Sequence, residues 1–368
     1  MIIEKLVAFS NLYGSNEELV LAGGGNTSAK DGDIMYVKGS GTQLATITED
    51  GFVKMSRTAL AEIFTKEYPT DDKEREAQAL ADLTAAKLPG QENKRPSVET
   101  LLHSLFDKTF VLHLHPALVN GLTCSKDGEA VAQRLFGDRF IWVDACKPGY
   151  ILSKICYDKM ESYKALHGKQ ADMIILQNHG IFFAADSDEA LGDMLFDVMS
   201  KLRGELTKEA DFSPCEFDGE KAEKCFDVIY DIYCEDAVIT FEPSVAALQI
   251  AESPEAAECV MKPFTPDHIV YCKANPVYGF CNGCIRGAVN AFEEENGCKP
   301  KIIIINGCGF FAVDYTPKGS QTAAALFNDA IKVAVYAESF GGVLPMSDEL
   351  SDFITNWEVE AYRQKQNA

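Results

Sequence analysis

The amino-acid sequence predicts an α/β protein, a three-layer α/β/α domain over residues 1–210 followed over 211–368 by a degenerate second copy of similar fold. Three observations predict it. The chain has 368 residues, more than one hydrophobic core usually serves. Three short apolar runs, "FVLHLHP", "RFIWVDA" and "DMIILQNHGIFFAAD", alternate with helical segments. Finally, "KIIIINGCGFFAVD" aligns with "DMIILQNHGIFFAAD" without gaps at the turn, the mark of an internal repeat.

Taken in order, Met1 to about Tyr13 has apolar residues at helical spacing and predicts an amphipathic helix. "LAGGGNTSAKDGDIMYVKGSGTQLATI" breaks β-rich runs with "DGD" and "GSG", a hairpin-like pattern with glycine at its turns. Charged helical stretches follow at "SRTALAEIFTKEY" and "DDKEREAQALADLTAAKL". In "RPSVETLLHSLF", Ser97 is the expected helix cap, with Val98, Leu101, Leu102 and Leu105 on the apolar face. The three apolar runs come next, the last reading as two strands that meet at "NHG", and the helix "SDEALGDMLFDVMSKLRGEL" closes the domain. After Leu206 the acidic, polar stretch "TKEADFSPCEFDGEKAEK" marks the boundary.

In the second half the repeat sets Cys308 opposite His179 and Gly309 opposite Gly180, each followed by a helix-forming segment. Upstream, "DHIVYCKANP" laid on "KTFVLHLHP" sets Cys272 opposite His113 and Ala274 opposite His115. The second copy is thus expected to keep the strands and to lack the histidines.

Composition narrows the partners. A formal net charge of −22 repels nucleic-acid backbones and anionic membrane surfaces, while a small ligand in a locally basic pocket remains allowed. No apolar run approaches the roughly 20 residues of a membrane helix, and the N-terminus lacks the pattern of a signal peptide. A cytoplasmic protein is expected, with its 12 scattered cysteines as reduced thiols. The one CxxC, Cys281 to Cys284, has no second pair to complete a zinc knuckle.

The chemistry is concentrated in three histidines. In a strand, residues i and i+2 share a face, so His113 and His115 present both imidazoles to one side. His179 stands at the end of another apolar strand, before a glycine turn. Three histidines with an open fourth position is the pattern of a catalytic zinc. Glu99, on the helix that precedes the HxH strand, is placed to fold over a metal as ligand or proton carrier.

Together "GGGNTS", "KGSG", Ser97 with Glu99, the HxH strand and the later HG turn resemble the class II aldolase/adducin family over about residues 5–205. The two-domain layout, ending in "ITNWEVEAYR", resembles the aldolase portion of longer proteins that join a rhamnulose-1-phosphate aldolase to an alcohol dehydrogenase. The resemblance implies a metal-dependent aldolase that acts on a small-molecule sugar phosphate and assembles as a homo-oligomer. It implies that His113, His115 and His179 hold Zn²⁺ or another divalent transition metal, and that Glu99 is the acid/base group. Asn26, Thr27, Ser40, Gly41 and Ser97 would form a phosphate site from backbone N–H groups and short polar side chains, with Lys38 adding positive charge. Relatives of other reaction types, epimerases, dehydratases and decarboxylases, reuse the same metal, and adducin-like modules keep the fold without chemistry. Two features depart from the family pattern. Val98 stands where the family has a second serine, and the tyrosine that protonates the aldehyde has no match beyond the candidates Tyr150 and Tyr362.

Overall fold

The computed structural model describes residues 1–356 apart from Glu235, Ala274 and Cys281. Tyr362 and most of "ITNWEVEAYR" lie outside these residues, as does one half of the CxxC. The chain divides into two compact units: Met1–Val119 with Glu129–Gly204, and Asn120–Gly128 with Glu205–Ala368.

Unit 1 holds a seven-stranded sheet, β1 (Asn26–Asp31), β2 (Ile34–Lys38), β3 (Phe52–Ser56), β4 (Phe110–Leu114), β5 (Ile141–Val143), β6 (Met173–Leu176) and β7 (Gly180–Ala185). The order is β3-β2-β1-β4-β7-β6-β5, antiparallel throughout except for β5 beside β6. The "DGD" turn joins β1 and β2 through Gly32, whose φ of +59° suits glycine. Strand alternation sorts the side chains between two helical layers. On one face Met35, Val37, Val53, Met55, Val111, Ile174 and Phe182 form a core with residues of α2 (Arg57–Ile63), α3 (Asp72–Ala85), α4 (Thr100–Ser104) and α5 (Tyr150–His167). On the other lies α1 (Ile2–Gly14), where Phe9 meets Phe110 edge-on and Ser10 bonds Thr27, with α6 (Asp188–Glu205) bringing Gly192 beside Tyr13. The expected three layers are therefore present in this unit.

Unit 2 has a four-stranded sheet, β8 (Val238–Glu242), β9 (Val277–Gly279), β10 (Ile302–Ile305) and β11 (Gly309–Asp314), in the order β8-β11-β10-β9. Only β9 and β10 are parallel. Order and sense repeat those of β4-β7-β6-β5. Helices follow the same plan: those at Gly219–Tyr233 and Asn282–Asn296 pack on one face, and the one at Pro317–Ala337 lies on the other.

This arrangement corrects the upstream part of the repeat. "DHIVYC" is not a strand: Pro266–Cys272 is helical, capped by the Thr265 side chain with proline at its first turn. The strand that pairs with β11 is β8, where Phe241 stands opposite Phe311, while in unit 1 His113 stands opposite Phe182. Cys272 therefore does not stand opposite His113, and Ala274 lies outside the described residues. A short buried apolar run carries too little periodicity to separate strand from helix. The threonine-proline cap was the signal that did. Among the described residues no helix is long and apolar enough to cross a membrane.

Candidate metal centre

Four side chains converge at the β4 end of unit 1. One ligand atom each of Glu99, His113, His115 and His179 lies within 4.8 Å of all the others. His113 is the fourth of the five buried residues of β4, and His115 follows two residues later, just past the strand, on the same face. His179 is delivered by the β6–β7 turn, closed by the pair Leu176↔Gly180, with Asn178 at a φ of +55°. Gly180 is needed for space rather than dihedral freedom. A Cβ there would stand 2.5 Å from the Leu114 carbonyl oxygen and 2.7 Å from the ring of His115. Glu99 caps the start of α4.

The protonation pattern of this cluster calls for a cation. His113 Nδ1 lies 2.9 Å from the Ile181 carbonyl, which only accepts, so Nδ1 carries the proton and Nε2 offers a lone pair. That Nε2 faces Glu99 Oε1 at 3.1 Å and His115 Nε2 at 2.8 Å. Protonating it is resisted: complete burial, partly offset by Glu99, pushes the His113 imidazole down to about 4. A carboxylate oxygen and a bare imidazole nitrogen thus confront each other. Burial alone would raise the Glu99 carboxyl, but the imidazoles of His113 and His179 outweigh it and hold it well below the usual carboxylate range. Glu99 Oε1 lies 3.3 Å from His179 Nε2. Three imidazoles and a carboxylate gathered this closely are the donor set of a divalent transition metal. The Nδ1–H to backbone carbonyl bond of His113 is the usual outer support of such a ligand. Phe182 stacks on the His113 ring at 3.8 Å and walls the site with an apolar face.

The residues expected to bind substrate divide into two groups. Asn26, Lys38, Ser40 and Ser97 sit on three segments that the fold draws together. Asn26 Nδ2 donates to Glu99 Oε2 at 3.1 Å, and Lys38 Nζ to the Gly23 carbonyl at 3.2 Å. Gly39 bridges Pro96, and the Ser40 N–H donates to the Arg95 carbonyl at 2.9 Å. That N–H is therefore committed to the protein, leaving the half-exposed hydroxyl and the exposed Gly41 as the outward groups of the loop. Thr27 is a correction. Its hydroxyl lies on the opposite face of β1, fully buried and bonded to Ser10 at 2.7 Å, because adjacent strand residues alternate sides. Ser97 is a second correction: the helix begins at Thr100, and the Ser97 hydroxyl accepts the Glu99 N–H at 3.2 Å, shaping the turn before the helix. Tyr150 packs in the core against Tyr68. Sequence reasoning passed over His103, four residues after Glu99 and fully buried, with its Nδ1 2.8 Å from the Ser28 hydroxyl. The i, i+4 spacing was the signal that could have found it.

The buried imidazoles set a pH dependence. Burial also holds His103 well below its ordinary value, so both rings are neutral in the folded chain. An unfolded chain binds those protons near 6.5, whereas folded His113 refuses its proton until about 4. The unfolded state therefore binds more protons in that window, and stability falls as pH falls through it. In metal-free protein the loss from His113 alone is expected to reach roughly 3 kcal/mol at the lower end. Urea midpoints measured in chelator from pH 7.5 to 4.5 check this, and a midpoint that stays level would contradict it.

The pattern of the family described as Class II Aldolase and Adducin N-terminal domain matches residues 4–196. A relative in Bacillus subtilis, the uncharacterized oxidoreductase YuxG, is 24% identical over 419 residues, covering 98% of this chain and 58% of its own length. This chain thus spans under two thirds of that relative. Among solved structures, the N-terminal class II aldolase domain of a conserved Thermoplasma acidophilum protein is 27% identical, covering 55% of this chain and 92% of its own, with a TM-score of 0.46. An L-fuculose 1-phosphate aldolase is 18% identical, covering 55% and 83%, with a TM-score of 0.37.

Proposed function

Because the chain belongs to the class II aldolase and adducin family, we propose that it is a zinc-dependent lyase that reversibly cleaves a ketose 1-phosphate of the fuculose or rhamnulose type to dihydroxyacetone phosphate and an aldehyde. The observation that carries this reading is the convergence of three imidazoles and a carboxylate, one ligand atom of each within 4.8 Å of all the others. His113, His115 and His179 would hold the ion. A bound divalent cation supplies Lewis acidity for the negative charge that carbon–carbon cleavage leaves on an enediolate.

The protein's own groups do the rest. Glu99 is ionised in the resting site and its side chain is 18% exposed, so an unprotonated carboxylate is within reach of a substrate. In condensation it would take the proton from the dihydroxyacetone phosphate carbon that becomes carbanionic, and in cleavage it would give a proton back to that carbon. The Lys38 ammonium, fixed on the Gly23 carbonyl, places positive charge at the glycine loop in an acidic protein. Ser40, Gly41 and Asn26 would complete an anion site beside it. Val98, where the family has a second serine, offers no donor, which supports a looser grip on phosphate. The apolar wall of Phe182 excludes water on one side.

Unit 2 reads as a degenerate copy. The repeated strand order and sense support this, with Phe241 at the register of His113 and Cys308 at that of His179.

Product analysis tests the reaction. A panel of ketose 1-phosphates and unphosphorylated sugar acids, incubated with zinc-loaded protein, should yield two fragments, one of them dihydroxyacetone phosphate. An isomer as the product would identify an epimerase, and carbon dioxide a decarboxylase.

A further inference from the structure

Between β1 and α4 runs a buried polar seam. Asn26 and Ser28, two residues apart, share one face of β1, opposite His113 and Val111 of β4. Glu99 and His103, four apart, share one side of the α4 segment, where the His103 N–H donates to the Glu99 carbonyl at 3.1 Å. Two side-chain bonds cross the seam, Asn26 Nδ2 to Glu99 Oε2 at 3.1 Å and Ser28 Oγ to His103 Nδ1 at 2.8 Å.

Stability alone does not explain this seam. Asn26, Ser28 and His103 are almost fully buried, and both Asn26 Oδ1 and His103 Nε2 lack a protein partner. Buried polar atoms without partners weaken a fold, and aliphatic side chains of similar volume would serve packing better. The orientation of Asn26 is also dictated. Turning its amide over would set Oδ1 against the Glu99 carboxylate, acceptor against acceptor. Meanwhile α4 is only five residues long, so its own hydrogen bonds fix Glu99 weakly. The ring of His103 also meets Phe182 edge-on at 5.3 Å, and Phe182 stacks on His113.

We infer that the Asn26–Glu99 and Ser28–His103 bonds form a two-point clamp that aims Glu99 Oε1 at the histidine cluster, with Ser28 and His103 as positioning residues. Asn26 thereby acts on the carboxylate, beyond any contact with an anion. The inference rests on the reading of the cluster as a metal centre.

Metal binding alone tests it, with Co²⁺ as the probe because its visible spectrum reports coordination. The full chain is titrated as native protein, Ser28→Ala, Glu99→Gln and the double variant, with His103→Gln as a second route and thermal unfolding confirming folded protein. Ser28→Ala should weaken Co²⁺ about 10-fold and alter the spectrum, as loss of an outer-shell partner does. In the Glu99→Gln background the same change should move affinity less than about twofold, because the carboxylate it aims is gone. An affinity and spectrum unchanged by Ser28→Ala and His103→Gln, or an equal loss in both backgrounds, would overturn the clamp and leave the metal centre standing. Native protein that binds no Co²⁺ would overturn both.

Discussion

Glu99→Gln is expected to lower turnover by about 10²–10⁴-fold, the usual worth of a positioned acid/base group, while the protein still takes up metal. Glutamine keeps the shape and the contact with Asn26, but it cannot carry a proton at neutral pH. Resting Glu99 is ionised and faces His113 and His179 through Oε1, with Oε2 tied to Asn26. The variant isolates proton transfer from binding, so the loss should fall on kcat, with KM changed little. The measurement is steady-state cleavage by zinc-loaded protein, and a variant as fast as the parent would remove Glu99 from its proposed role.

The second large effect concerns His113. Its ring is fully buried, its Nδ1 is spent on the Ile181 carbonyl, and its Nε2 lies nearest to both Glu99 and His115. His113→Ala removes a central ligand and leaves Glu99 facing only His179 and Asn26. Bound metal should fall from about one equivalent per chain to a trace, and cleavage should fall with it. Elemental analysis after gel filtration measures the first, and it separates a metal enzyme from a non-catalytic module of the same fold. His113→Ala retaining a full equivalent would place the ion elsewhere.

Much of this site was legible in the sequence because its geometry follows from short-range rules. The HxH pair lies on one face by strand periodicity, and His179 marked itself by its place at a glycine turn. What eluded the sequence depends on contacts between distant segments or on ambiguous short runs. His103, Ser28 and Phe182 read as ordinary members of amphipathic patterns, and only the packing of β1, α4 and β7 joins them to the ligands. Strand β3 was passed over because "FVKMS" is brief and half polar. The reverse error befell "DHIVYC", where buried helix and buried strand share one composition. Thr27 was misassigned against a rule that was available: if Asn26 faces Glu99, its neighbour faces away.

The central claim is that one divalent ion sits on three imidazoles in unit 1. X-ray absorption at the zinc edge of the loaded protein tests it most directly. The account predicts one zinc per chain with nitrogen and oxygen scatterers at about 2.0–2.1 Å and the multiple scattering of imidazole rings. Sulfur scatterers near 2.3 Å would move the ion to the cysteines, and protein that holds no zinc at all would contradict the account outright.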